Sequence, residues 1–326
     1  MPTVTIDDVR AAAGRLKGIA AETPLLESAR LNERLGARLL VKPECLQRTG
    51  SFKFRGAYNR LAAMDPAERA RGVLAYSSGN HAQGVALAAR LFGVPATIIM
   101  PSNAPQMKRA NTAEYGATVI LYDRERENRE EIGARIAEEQ GLTLVRPYDD
   151  PWVIAGQGTV GLEAASQCRA VGASPDVALA PAGGGGLIAG FSTAIRDAFP
   201  ACEVYAAEPE EFDDTGRSLA AGTHQSVVAG ASSICDAILT PTPGQITFAI
   251  NRETLAGGVA VSDDEVLAAM ATAFRELKIV AEPGGSVALA AVLAGKVPVA
   301  GRTLLVVVSG GNVDAGMFRA ALDLAA

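Results

Sequence analysis

The 326-residue sequence predicts an α/β protein built on parallel sheets, on three observations. From residue 72 onward, short apolar runs alternate with helical patterns, the signature of strand–helix–strand units. The chain is 48% apolar but only 5% aromatic, and much of the apolar content is Ala, Val, Leu and Ile. That mixture suits strands buried on both faces and the helices that cover them. The length exceeds one simple core and calls for two domains or one large α/β unit.

The elements follow in order. Thr5 caps a first helix, with Asp7 and Asp8 in its first turn and Val9, Ala12, Ala13 and Leu16 at helical spacing. Thr23-Pro24 ends it, and a short helix runs to Leu35, where Gly36 closes it. Residues 38–43 read as a strand stopped by Pro43. The segment Thr49-Gly50-Ser51-Phe52-Lys53-Phe54-Arg55-Gly56-Ala57 then leads into a helix through Tyr58, Leu61 and Met64.

Strands are predicted at 72–76, 96–100 and 118–122, and helices at 82–91, 106–115 and 128–140, with Gly116 and Gly141 closing the last two helices. A tight loop at 147–151 is a candidate boundary, and a helix begins near Gly156. Strands at 176–180 and 203–207 follow, the first running into Gly183, Gly184, Gly185, Gly186 and a helix from Leu187. Residues 209–243 read as irregular. Helices through 265–277 and 287–293 precede a last buried strand at 303–308, which ends at Ser309-Gly310-Gly311-Asn312.

Charge and cysteine usage exclude several classes. The net charge is −6 without a long run of one sign, so the basic footprint of a nucleic-acid partner is missing. Cys45, Cys168, Cys202 and Cys235 stand alone, which is neither a zinc framework nor a secreted disulfide scaffold. No signal-peptide pattern and no apolar run of membrane-spanning length is present. The expectation is a cytoplasmic protein with a small-molecule partner and no membrane.

Chemistry collects at strand ends, where open parallel sheets bind ligands. Lys53 lies between Phe52 and Phe54, and aromatic neighbours favour the neutral amine that Schiff-base chemistry requires. The bland alternative is a surface lysine at a helix start. The four glycines at 183–186 let several backbone amides face one anion at a helix N-terminus, a phosphate cradle. Gly184, Gly186 and Ala189 also match a dinucleotide fingerprint with Glu208 in the ribose position, and a plain tight turn is the third reading. Ser309 follows an apolar strand, so its hydroxyl is held rigidly and can donate to an unprotonated ring nitrogen; alone, it reads as a turn cap.

Together these motifs resemble the fold-type II pyridoxal-phosphate enzymes, and within them the serine/threonine dehydratases and serine racemases. The matching pieces are Gly50 to Ala57, Ser77-Ser78-Gly79-Asn80-His81-Ala82-Gln83-Gly84, Ala155-Gly156-Gln157-Gly158-Thr159, Gly183 to Leu187, and Ser309-Gly310-Gly311-Asn312-Val313-Asp314, in the family's order. The resemblance implies a tryptophan-synthase-β-like fold of two open, twisted, mainly parallel sheets flanked by helices. Residues 1–65 and 150–326 would form a large cofactor-binding domain, and 66–149 a small mobile one.

It also implies the site. Lys53 would carry the cofactor covalently with Phe52 beside the ring, and Gly183, Gly184, Gly185, Gly186 and Leu187 would hold the phosphate. Asn80 would meet the ring 3′-oxygen and Ser309 the ring nitrogen. Ser77, Ser78, Gly79, Asn80 and His81 would receive the substrate carboxylate. Ser78 would be a second acid/base on the face opposite Lys53.

Glu208, Asp214 and the Phe212 carbonyl match a divalent-cation site, for which oxygen ligands favour Mg²⁺ or Ca²⁺; an acidic surface loop is the alternative. Arg129 matches an arginine that contacts the far end of dicarboxylate ligands, against the reading of a solvated charged face. Two departures stand out: Ala237 replaces a glycine, and Thr240, followed by Pro241, replaces a substrate-side serine. The resemblance therefore implies a homodimeric ammonia-lyase acting on serine, threonine or 3-hydroxyaspartate. Serine racemisation is the near alternative, and a non-catalytic ligand-binding protein on the same fold the remote one.

Overall fold

The computed structural model describes residues 3–77, 79–104, 106–123 and 126–324. Its strands are β1 (Leu26–Glu27), β2 (Arg38–Pro43), β3 (Val73–Tyr76), β4 (Ala96–Pro101), β5 (Thr118–Tyr122), β6 (Thr143–Leu144), β7 (Val177–Pro181), β8 (Glu203–Pro209), β9 (Gly257–Val261) and β10 (Thr303–Val308). They form a six-stranded sheet in the order β1-β2-β10-β7-β8-β9 and a four-stranded sheet in the order β5-β4-β3-β6. Every pairing is parallel except the short β1–β2 ribbon. Parallel neighbours need crossover connections, and intervening helices supply them.

Alternation along β10 shows how the larger sheet is buried. Leu304, Val306 and Val308 face one apolar cluster, with Leu39, Val41, Met270 and Val287. Leu305 and Val307 face the other, with Val160, Phe191 and Ile195. The smaller sheet likewise puts Ala75 and Ile98 with Leu61 and Val85 on one face, and Leu74 and Ile99 with Ile136 on the other.

The structure corrects the predicted elements in places. The helix expected near Gly156 spans Pro151–Ala170. Asp150 caps it, accepting from Trp152 N at 2.8 Å and Val153 N at 3.1 Å, and Pro151 supplies the preset first turn. The stretch expected to be irregular contains the helix Asp214–Ala221, and Gln245–Thr254 is a further unanticipated helix. Strand β9 escaped prediction because its glycines depress strand propensity. Close approach explains one of them: a Cβ on Gly258 would lie 2.5 Å from Gly216 Cα.

Candidate active site

Lys53 opens the helix Lys53–Ala62, directly after a tight loop. Thr49 (φ 61°) and Gly50 (φ 71°) take left-handed conformations there. For Thr49 that conformation is costly, and such strain persists where the surroundings enforce it. The helix is anchored from behind. Arg55 donates to both Glu44 oxygens at 2.7 Å and to Glu163 at 3.0 Å, while Lys42 reaches Glu163 at 2.6 Å. These two buried cations and two carboxylates satisfy one another. Gln157, from the Ala155–Thr159 motif, accepts from Gly56 N at 3.0 Å. That motif therefore sits behind the lysine helix.

The Lys53 amine is largely removed from solvent, and burial pushes its pKa down to about 8. Its Nζ donates to the Pro147 carbonyl at 2.9 Å and lies 5.2 Å from the Phe52 ring centre. Gly84 lets the helix Asn80–Phe92 approach the lysine's own backbone, since a Cβ there would lie 3.1 Å from Lys53 C.

Lys53 lines a cavity of about 860 Å³. The same wall includes Phe52, Ser77, Gly79, Asn80, His81, the glycines 183–186, Leu187, Thr240 and Ser309. Strand β3 delivers Ser77, β7 delivers the glycine turn and β10 delivers Ser309, so three strand ends from two sheets converge. Ser78 lies outside the described residues.

The glycine turn has no room for side chains. A Cβ at Gly183 would lie 2.8 Å from the Ile238 carbonyl, and one at Gly184 would overlap the Tyr148 ring. Gly185 has φ +90°, and a Cβ there would lie 2.9 Å from Thr247 Oγ1. Thr247 Oγ1 also donates to Gly184 O at 2.7 Å, which fixes the turn ahead of the helix Gly186–Ala198. Backbone amides and a helix N-terminus thus face the cavity at one place, the arrangement that receives a phosphate. Ser309 is held from both sides: its N–H donates to Gly285 O at 3.2 Å, and its carbonyl accepts from Phe52 N at 3.1 Å. A desolvated amine, an anion cradle and a rigid hydroxyl at one cavity fit pyridoxal phosphate.

Asn80 is fixed at its helix start. Its Nδ2 donates to Glu282 at 2.5 Å, and its Oδ1 accepts from Asn312 Nδ2 at 2.8 Å. The His81 Nε2 donates to Val145 O at 2.9 Å. Burial and the neighbouring Lys53 hold His81 down to about 3, so its ring stays neutral.

Arg129 opens the helix Arg129–Gln140, exposed at the cavity rim with its guanidinium 5.2 Å from the Tyr76 ring centre. Glu208, next to last in β8, accepts from Thr215 N at 3.0 Å and Gly216 N at 2.8 Å. Burial raises Glu208 to about 8 and Asp214 to about 7, and Asp214 Oδ2 has no hydrogen-bond partner among the described residues. Phe212 ends the intervening turn Glu210–Phe212. Among the described residues, no cluster of three or more His, Cys, Asp or Glu side chains could hold a metal. The expected set has two carboxylates and a carbonyl.

Among the cavity residues that escaped the sequence reading are Tyr148, Lys108, Asp236 and Glu282. Glu282 had a local signal, an acid immediately before Pro283 at a helix start.

Residues 16–310 match the profile of the family described as pyridoxal-phosphate dependent enzyme. The chain is 46% identical over 307 residues to an L-threo-3-hydroxyaspartate ammonia-lyase of Pseudomonas sp, covering 94% of this chain and 95% of that one. It is 41% identical over 310 residues to a serine racemase of Schizosaccharomyces pombe, covering 95% and 94%. Among solved structures, maize serine racemase superposes with a TM-score of 0.91 at 36% identity, covering 99% of this chain and 98% of that one.

Proposed function

Because the chain belongs to the pyridoxal-phosphate-dependent enzymes of fold-type II, we infer that it is an ammonia-lyase that converts a β-hydroxy amino acid to a 2-oxo acid and ammonia. We propose 3-hydroxyaspartate as the preferred substrate. The observation that carries this choice is Arg129 at the cavity rim, a guanidinium available to a second carboxylate. The similarity to the Pseudomonas ammonia-lyase supports it.

Lys53, the glycines 183–186 with Leu187, Asn80 and Ser309 would hold the cofactor, with Phe52 beside it. When bound, the cofactor supplies an electron sink for bonds broken at the substrate's α-carbon. The remaining work falls to the chain. Lys53, with its pKa lowered to about 8, takes the α-proton as general base near neutral pH. Backbone amides of Ser77, Ser78, Gly79, Asn80 and His81 would hold the α-carboxylate. Thr240 faces the same cavity; the β-hydroxyl leaves as water, taking up the proton that Lys53 removed, and one water then hydrolyses the released imine to the 2-oxo acid and ammonia. Closure of the unit built on the four-stranded sheet, residues 66–149, would exclude bulk water.

Glu208, Asp214 and the Phe212 carbonyl would take Mg²⁺ or Ca²⁺, a reading supported by the unpartnered Asp214 Oδ2. The four free thiols suit a reducing, cytoplasmic setting. Among the described residues, no helix is long and apolar enough to cross a membrane.

Serine racemisation is the second reading, favoured by the S. pombe relative; it would use Lys53 and Ser78 on opposite faces. A panel of serine, threonine and 3-hydroxyaspartate isomers, assayed for ammonia and for D-serine, separates these readings. Ammonia release fastest from a 3-hydroxyaspartate isomer is expected. D-serine formed faster than any ammonia would favour the racemase.

A further inference from the structure

Glu282 immediately precedes the helix Pro283–Leu293, its side chain making no capping hydrogen bond, and lines the cavity. Its carboxyl is buried, with Oε1 on Asn80 and Oε2 without a hydrogen-bond partner among the described residues. The fit is tight, because a Cβ on Gly310 would overlap Glu282 Oε1. Gly285, three residues on, is also pressed against Gly310, with a Cβ position 2.5 Å from Gly310 O. A carboxyl is thus kept in an enclosed place where an apolar side chain would cost less. Burial raises its pKa to about 7.

The opposite side of Asn80 explains what the carboxyl does. Asn312 donates one N–H to Asn80 Oδ1 and its other to Thr49 O, both at 2.8 Å. An acceptor on one side and a donor on the other allow the Asn80 amide one orientation. Its Nδ2 has a second N–H, and the amide lines the cavity. We infer that Glu282 is a positioning residue that orients Asn80 so that an N–H, and not the carbonyl, meets the anionic oxygen of the bound cofactor. The inference rests on the reading of Asn80 as the contact to the cofactor's ring oxygen.

The test is titration of cofactor-free protein with pyridoxal phosphate, followed by absorbance, for Asn80→Ala, Glu282→Ala, Glu282→Gln and Asn312→Ala. Asn80→Ala is expected to weaken binding ~10-fold, the size of one lost hydrogen bond to a charged group, and to move the absorption maximum. Glu282→Ala should reproduce both changes in part, since Nδ2 loses its acceptor while Asn312 still holds Oδ1. Glu282→Gln keeps an acceptor opposite Nδ2 and should stay within ~3-fold of the unmodified protein, because Asn312 still holds the other side.

If Asn80→Ala matters and Glu282→Ala does not, the inference is overturned while the Asn80 contact stands. If Asn80→Ala changes nothing, the contact reading itself fails. Equal damage from Glu282→Ala and Glu282→Gln would make charge the cause and would also overturn orientation. Should Glu282→Ala not fold, Glu282→Gln combined with Asn312→Ala leaves only a partner that can either accept or donate, so the Asn80 amide loses its single orientation. That pair is expected to bind like Asn80→Ala, and binding like the unmodified protein would contradict the inference.

Discussion

Lys108 Nζ and Asp236 Oδ2 meet at 2.5 Å, tying the helix Gln106–Glu114 to the loop that carries Ala237 and Thr240. The two partners differ in surroundings: the Lys108 side chain is 8% exposed and that of Asp236 is 54%. The lysine stem also runs past Gly79, where a Cβ would lie 3.7 Å from Nζ. Both residues line the cavity, so the pair joins its two sides.

Asp236→Asn is expected to cost less than ~1 kcal/mol of stability, because half of the carboxylate is in water and is screened there. It should raise KM several-fold by loosening one wall of the cavity. Unfolding in urea and steady-state kinetics check both, and an unchanged KM would reduce the pair to a surface contact.

Lys53 makes the cofactor-free protein pH-sensitive. The unfolded chain keeps a proton on this amine up to about 10.5, the folded chain only up to about 8. Folding therefore expels a proton between those values. The cofactor-free fold is penalised below pH 8 and recovers as pH rises toward 10.5. Lys53→Met is expected to be ~2–3 kcal/mol more stable than the unmodified protein at pH 7 in urea denaturation. The gap should shrink toward zero by about pH 10; a gap constant with pH would place its cause in packing.

Glu208 and Asp214 are expected to bind a divalent cation. Chelation should lower the melting temperature by a few degrees, and Mg²⁺ or Ca²⁺ should restore it, as for a ligand present well above its Kd. Asp214→Asn should abolish the response. A melting temperature indifferent to chelator and to both cations would leave the two carboxyls as a buried acidic pair.

Arg129 is expected to act on specificity. Arg129→Ala should lower kcat/KM for 3-hydroxyaspartate by ~30-fold or more, and for serine and threonine by less than ~3-fold, because only the first offers a second carboxylate. An equal loss for all three would assign Arg129 to the helix alone.

Much of this was legible in the chain because it rests on local signals. The strands at 38–43, 203–207 and 303–308 are apolar runs with clean ends, and Lys53, the four glycines and Ser309 follow strand or helix boundaries. What escaped depends on partners far along the chain. Strand β9 needs Gly258 against Gly216, and nothing near residue 258 announces that approach. Glu282 meets Asn80 across 202 residues, and Lys108 meets Asp236 across 128. An isolated acid or lysine reads as solvated surface until the fold brings its partner to it. The helix Pro151–Ala170 is a different case, since Asp150-Pro151 is a readable start that the glycines of the following motif obscured.

The covalent attachment of the cofactor at Lys53 is the claim on which the rest depends. Borohydride reduction of the holoenzyme, followed by peptide mapping, measures it directly. The expected result is a pyridoxyl label on the peptide containing Lys53 and no label after Lys53→Ala. A label on Lys42 or Lys108, or an unlabelled and colourless protein after incubation with pyridoxal phosphate, would contradict it.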